Sequence, residues 1–276
     1  MQQEFADLHL HTKYSDGFSS PEKVVERAKK LGLKCIAISD HDSIDGIEEG
    51  LKAGEKHGVE VIPSVEVSAT EGDEDIHILG YFIDWRDNDF KKKMLEIQKL
   101  RTERMFKMIN KLKELGINVD TEKFVEKTEN NFFGRLKLAH YLVNEGLVSS
   151  LYEVFDRFIG NGKPAYQEID AMSYQEAIEM IVNAKGIPVL AHPGLAKRDY
   201  LIPEMAEHGL MGLEIYYFSH SPEDITRYLD LAKKHNLLVT GGSDCHGNCN
   251  SGILMGKTKL PMVYVEQLKQ KAAQMR

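Results

Sequence analysis

Short apolar runs, separated by longer stretches with a helical period, set the pattern of this chain. Runs at 5–11, 34–39, 59–67, 76–84, 187–191, 212–217 and 237–241 predict seven strands, and amphipathic segments between most of them predict helices. Such alternation belongs to an α/β protein built on parallel strands. Ser20-Pro21-Glu22, Asp42-Ser43, Ser173 with Glu176, and Ser221-Pro222-Glu223 each supply an N-cap with Pro or acid in the first turn. Helix ends at Leu31-Gly32, His57-Gly58, Lys185-Gly186 and His235-Asn236 suit a left-handed cap.

Between residues 84 and 187 the alternation stops. Residues 91–115 read as one long amphipathic helix, with Met94, Ile97, Met105, Met108, Ile109 and Leu112 at helical spacing, and shorter helices follow. The expected organisation is a barrel domain formed by 1–85 and 167–276, with a helical insert domain at 86–166. No repeat of 20–50 residues and no low-complexity tract is visible.

Composition narrows the class. With 276 residues, 42% hydrophobic and 28% charged, the chain reads as an ordinary globular protein rather than a disordered, collagenous or disulfide-stapled one. No run approaches the roughly 20 apolar residues that span a bilayer, and the first residues lack a basic and an apolar leader region, so a cytoplasmic protein without membrane attachment is expected. Cys35, Cys245 and Cys249 are too few for a disulfide framework or a thiolate zinc site and are read as structural. The net charge of -8 argues against a general nucleic-acid coat. It is uneven: residues 86–140 carry 14 basic and 9 acidic side chains, a net of +5, which leaves -13 for the rest. The basic face of 91–113 is read as solvated, with guidance of RNA as the sharper alternative.

The first strand carries the most chemistry. In Asp7-Leu8-His9-Leu10-His11, a period of two puts the leucines on one face and Asp7, His9 and His11 on the other. Burying three polar groups without partners costs about 1 to 3 kcal/mol each, so a ligand or network must meet them. The pattern recurs at other strand ends: Asp16 in the first loop, Asp40-His41-Asp42 after the second strand, Glu66 at the end of the third, His77 opening the fourth, His192 after the fifth, and Asp244 and His246 after the seventh. Six histidines and three carboxylates exceed the needs of one four-coordinate ion. They imply two or three divalent metals, with imidazole and carboxylate donors that suit Mn, Fe or Zn. Chemistry at nearly every strand end favours a closed or nearly closed barrel over an open sheet.

These segments resemble the polymerase and histidinol phosphatase (PHP) superfamily: Asp7-Leu8-His9-Leu10-His11 with Ser15-Asp16-Gly17, Ser39-Asp40-His41, Glu66, Ile76-His77-Ile78-Leu79-Gly80, Ala191-His192-Pro193-Gly194 and Gly242-Ser243-Asp244-Cys245-His246-Gly247. The resemblance implies a distorted (β/α)7 barrel and a metal-dependent phosphoesterase. It implies that His9, His11, Glu66 and Asp244 hold one ion, that Glu66 bridges to a second held by His77 and His192, and that Asp16, His41 and His246 hold a third. A hydroxide bridging two ions would then attack phosphorus, with Glu66 and Asp244 at the catalytic centre.

Asn131-Phe132-Phe133-Gly134-Arg135 and Asn161-Gly162-Lys163-Pro164-Ala165-Tyr166 resemble the branch that removes the 3′-phosphate of 3′,5′-bisphosphonucleotides or shortens RNA from its 5′ end. Arg135 and Lys163 are then phosphate contacts, while Leu136-Lys137 departs from the branch's Pro-His. His220 is a candidate for substrate binding or leaving-group protonation. Glu214 is a candidate for support behind the metal-binding residues or for an alternative metal contact, and Asp7 for orienting a ligand imidazole. The partner expected is a phosphorylated small molecule, a nucleotide or short RNA, with no obligate protein partner. The alternatives are a histidinol-phosphate-type phosphatase and a non-catalytic metal-binding module of the kind attached to polymerases. An amidohydrolase would want a bridging Lys where this chain has Glu66.

Overall fold

All seven apolar runs form strands: β1 (Phe5–Leu10), β2 (Cys35–Ile38), β3 (Glu60–Glu71), β4 (Glu74–Tyr81), β5 (Ile187–Leu190), β6 (Gly212–Tyr217) and β7 (Leu238–Gly242). The computed structural model describes residues 4–72, 74–128, 130, 132–168, 172–247 and 254–275. Cys249 and Asn131 lie outside the described residues. The strands lie in sequence order in one sheet, and a short β8 (Leu260–Pro261) pairs antiparallel with the outer side of β1. Beyond Gly242 the chain returns to the first strand, where Leu10 bridges Cys245 and the His11 N–H donates to the Cys245 carbonyl at 3.1 Å. The result is a nearly closed α/β barrel.

The helices follow the strands: α1 (Pro21–Lys30), α2 (Ile47–His57), α3 (Asn88–Glu114), α4 (Thr121–Lys127), α5 (Arg135–Asn144), α6 (Leu151–Val154), α7 (Tyr174–Asn183), α8 (Pro193–Ala196), α9 (Ile202–Glu207), α10 (Pro222–Lys234) and α11 (Met262–Met275). Ser20, Ser173 and Ser221 cap their helices by accepting backbone N–H groups, the latter two in reciprocal capping boxes with Glu176 and Asp224. Leu8 and Leu10 of β1 face the surrounding helices, Leu8 in one buried cluster with Val265 and Leu268 of α11, and Leu10 in another with Val24, Val25 and Ala28 of α1. Each fully buried leucine contributes about 1.5 to 3 kcal/mol. The opposite face of β1 is thereby committed to the barrel interior.

The structure departs from the expected all-parallel barrel at β4, which runs antiparallel to both β3 and β5. Glu71 pairs with Glu74, and Gly72 at φ +57° sits in the link between them. A parallel crossover needs a dozen or more residues, so a link this short dictates a hairpin. A second departure is at Asp42-Ser43, where a helix start was expected and α2 begins only at Ile47. Asp42 is occupied with β3 instead: its N–H donates to the Glu66 carbonyl, and its Oδ1 accepts the Ser68 N–H at 2.8 Å.

The chain divides into two compact units, Met1–Lys92 with Met172–Arg276, and Lys93–Ala171. The second has its own core, in which Met105, Met108, Ile109 and Leu112 of α3 pack with Phe124, Leu138 and Leu142.

Candidate metal centre

With its leucines turned outward, β1 presents Asp7, His9 and His11 inside the barrel, each no more than 1% exposed. The loop after β1 is held by Asp40, whose fully buried carboxylate accepts the Thr12 N–H at 2.7 Å, the Thr12 hydroxyl at 2.6 Å and the Ser15 hydroxyl at 2.5 Å. Gly17 folds this loop back onto His11. A Cβ there would lie 2.6 Å from the His11 carbonyl oxygen, so only glycine permits the approach that brings Asp16 to the site.

Glu66 is the hub. Its Oε2 lies 3.1 Å from His9 Nε2, 3.3 Å from His11 Nε2 and 3.0 Å from His41 Nδ1, while Oε1 lies 2.9 Å from His77 Nδ1 and 3.1 Å from His192 Nε2. Asp244 Oδ1 faces His11 Nε2 at 2.9 Å and His9 Nε2 at 3.5 Å. Asp16 Oδ1 faces His246 Nε2 at 3.2 Å, and Asp16 Oδ2 is 4.0 Å from His41 Nε2. All nine residues singled out in the sequence thus meet in one cluster. Three overlapping groups have ligand atoms mutually within 4.8 Å: His9, His11, Glu66 and Asp244; His11, Asp16, His41 and His246; and His41, Glu66 and His77. His192 joins the third group's side of Glu66. His11 and His41 each belong to two groups, a sharing that the partition implied by the resemblance did not contain.

The polar atoms crowd together without pairing. His9 Nε2, His11 Nε2, His41 Nδ1, His77 Nδ1, Asp16 Oδ1, Glu66 Oε2 and Asp244 Oδ1 are all buried and have no hydrogen-bond partner among the described residues. They approach one another to about the length of a hydrogen bond, but not along its direction, so they are aimed at shared points between them. Leaving so many buried polar atoms unpaired would cost about 1 to 3 kcal/mol each. A divalent cation satisfies a carboxylate and an imidazole lone pair together, and the residues therefore fit the metal that this donor set suggests.

The electrostatics agree. Burial alone would raise the carboxyls of Glu66, Asp16 and Asp244, yet the surrounding imidazoles hold all three well below the ordinary range. Burial opposes charge on His11 too, but Asp244 and Glu66 outweigh it and push the imidazole up to about 10. His246 donates Nδ1–H to the Asp244 carbonyl at 2.9 Å, which leaves Nε2 to face Asp16. Asp42, His192 and Asp244 have φ of +45°, +29° and +49°, and non-glycine residues held there cost of order 1 to 3 kcal/mol each.

The remaining candidates fare differently. Glu214 accepts from His9 Nδ1–H at 3.0 Å and from the His192 N–H at 2.8 Å. Asp7 accepts the Ser243 N–H at 2.8 Å and lies one layer below the imidazoles. His220 differs from the proposed acid or substrate contact: its Nε2 accepts the Gly194 N–H at 3.1 Å and its Nδ1–H donates to the Ile215 carbonyl at 2.9 Å. Both ring nitrogens are engaged by backbone, so here the ring pins the turn after His192. In the second unit, Arg135 Nη1 donates to Asn161 Oδ1 at 2.6 Å and its guanidinium stacks over Tyr166, while Lys163 Nζ is 3.5 Å from Asp156.

Sequence reasoning missed Asp40 as the loop's anchor and missed Tyr217, whose hydroxyl donates to Asp244 Oδ2 at 3.0 Å. Glu214 and Tyr217 are three residues apart, out of phase in a regular strand. The pairing of β6 with β7 shifts between Glu214 and Tyr216, and this irregularity lets both side chains reach the site.

A family model described as the PHP domain matches residues 7–238. The 3',5'-nucleoside bisphosphate phosphatase of Chromobacterium violaceum is 31% identical over 92% of this chain and 91% of its own length. The phosphoribosyl 1,2-cyclic phosphate 1,2-diphosphodiesterase of Eggerthella lenta is 32% identical over 87% of this chain and 94% of its own. The 5'-3' exoribonuclease Rnm of Escherichia coli is 31% identical over 88% and 85%. A solved structure of a proposed metal-dependent phosphoesterase from Bifidobacterium adolescentis superposes with a TM-score of 0.89 at 29% identity, covering 97% of this chain and 96% of that one.

Proposed function

We propose that this chain, which belongs to the PHP-domain family, is a metal-dependent phosphoesterase acting on nucleotides: a 3′-phosphatase of 3′,5′-bisphosphonucleotides or a 5′-3′ exonuclease on short RNA. The observation that carries the reading is the set of buried, unpaired imidazole and carboxylate atoms converging on both oxygens of Glu66. Two or three ions of Mn, Fe or Zn would be held by His9, His11, Asp16, His41, Glu66, His77, His192, Asp244 and His246. Bound there, such ions polarise phosphoryl oxygens and make a water nucleophile available at neutral pH.

The protein's own groups do the rest. Glu66 spans the two sides of the cluster with one carboxylate. Asp244 is held by Tyr217 through one oxygen and presents the other to His9 and His11. Asp40 fixes the loop that carries Asp16. Divalent ions held there would offset the charge of the local carboxylates, so the overall charge of -8 is no obstacle to an anionic phosphate. Arg135 and Lys163 supply further phosphate contacts in this reading. No helix among the described residues is long and apolar enough to cross a membrane, and a cytoplasmic site of action suits a nucleotide substrate.

The test is release of phosphate by the purified protein with Mn from adenosine 3′,5′-bisphosphate, compared with histidinol phosphate, a ribose 1,2-cyclic phosphate and a short 5′-phosphorylated RNA. The reading expects kcat/KM to be highest for the bisphosphonucleotide or the RNA. Preference for either other substrate reassigns the substrate class, and absence of all turnover with metal bound leaves a binding module.

A further inference from the structure

We infer that Glu214 is a positioning residue of the metal centre, whose carboxylate both sets the ring tautomer of His9 and holds the backbone of His192. The inference rests on reading the cluster as a metal centre, and it concerns how that centre is preorganised.

Glu214 is fully buried on β6. Its Oε1 and Oε2 lie 3.0 and 3.2 Å from His9 Nδ1, and because a carboxylate only accepts, the imidazole must be the donor. A neutral ring carries one such proton. With that proton on Nδ1, the lone pair is on Nε2, the atom 3.1 Å from Glu66 and without a hydrogen-bond partner among the described residues. The opposite tautomer would place a proton where the metal bond must form. Glu214 therefore selects the form of His9 that is able to ligate.

The same carboxylate has a second task. Oε2 accepts the His192 N–H at 2.8 Å, at a residue whose φ of +29° and ψ of 57° lie in a sparsely populated region. This bond opposes relaxation of the strained turn on one side, and the Gly194 N–H to His220 contact opposes it on the other. One carboxylate thus ties a donor from the first strand to a donor beyond the fifth.

Two donors face a group that has only acceptors, and this explains why the residue is an acid. A glutamine of the same shape offers one acceptor and one NH2 group. If its oxygen faces His192, the NH2 donates to His9 Nδ1 and drives the ring proton to Nε2. If its oxygen faces His9, the NH2 opposes the His192 N–H. Either orientation sets a donor against a donor while the packing volume is conserved.

The test compares wild-type protein with Glu214→Gln, using Mn binding to the metal-free proteins by calorimetry and the ring protons of zinc-loaded, 15N-histidine-labelled protein by NMR. Wild type should show a strongly deshielded, slowly exchanging Nδ1 proton on His9. In Glu214→Gln this resonance should be lost or displaced and Mn should bind about 10- to 100-fold more weakly, while the metal-free variant still unfolds cooperatively. Equal Mn affinity in the two proteins overturns the assignment, as does a wild-type His9 that carries its proton on Nε2. If the variant does not fold, the wild-type resonance alone decides. A wild-type protein that binds no divalent ion overturns the reading of the centre and this assignment with it, whereas equal binding by both proteins removes this assignment alone.

Discussion

Tyr217 and Asp244 share a hydrogen bond of 3.0 Å that fixes one carboxylate oxygen and leaves the other 2.9 Å from His11 Nε2. Hydrogen bonds to charged groups contribute about 1.5 to 3 kcal/mol. Tyr217→Phe keeps the ring that packs 5.4 Å from His192 and removes only this tether. We expect turnover to fall about 10-fold with KM little changed, measured by steady-state kinetics at saturating Mn. Wild-type turnover would show that Asp244 needs no such support.

Glu66→Gln should abolish most turnover, by about 100-fold or more, because a neutral amide is a poor donor to either side of the cluster that Glu66 now spans. The fold rests on the outward apolar faces of the strands, so thermal unfolding of the variant should stay cooperative. Near-normal activity with full metal occupancy would contradict the hub role of Glu66.

His220→Ala removes the ring that bridges Gly194 and Ile215. We expect a loss of stability of about 1 to 3 kcal/mol in denaturant unfolding, from two backbone groups left unpaired. Turnover should fall by a similar factor for substrates with good and poor leaving groups. A defect confined to poor leaving groups would restore His220 as a proton donor.

Asp7 is raised from 3.8 to about 6, chiefly by burial, with the bonds from Ser243 acting in the opposite direction. Between those values the folded protein holds a proton that the unfolded chain does not, so stability falls as pH rises through the interval. Relative to Asp7→Asn, wild type should therefore gain stability as pH drops from 6 to 4, as read by urea midpoints across that range. A difference that does not vary with pH would show that Asp7 titrates in the folded protein at its ordinary value.

Arg135→Ala and Lys163→Ala should each raise KM about 10-fold for a bisphosphonucleotide without altering Mn affinity, since loss of a cationic phosphate contact weakens substrate binding alone. If both variants retain the wild-type KM and turnover, their assignment as phosphate contacts fails.

How far the sequence reaches is clear from individual residues. The period of two places His9 and His11 inside the barrel, because Leu8 and Leu10 leave them no other face, and it holds wherever a strand is regular. Tyr217 was invisible for the complementary reason: the shift in β6 breaks that period, and nothing local in Glu214-Ile215-Tyr216-Tyr217 announces it. The reversal of β4 did leave a trace. Glu66 and His77 stand only eleven residues apart and both lie within their strands, so His77 returns beside Glu66 only if β4 runs backwards. Gly72 in its short link pointed the same way. The pinning of His220 by two backbone groups depends on contacts between β6 and the α8 turn, which no pattern along the chain encodes.

The junction between Leu10 and Cys245 also bears on how the protein is made. The donors at residues 9 and 11 emerge from the ribosome first, and those at 244 and 246 more than two hundred residues later, after the whole Lys93–Ala171 unit has been synthesised. Domains generally fold as units during synthesis, and that intervening unit has a core of its own to collapse around. The cluster is therefore among the last features of the nascent chain to form. A chain stalled before residue 244 lacks donors for two of the three ligand groups, and premature termination yields a protein without a complete centre rather than a partly active phosphoesterase.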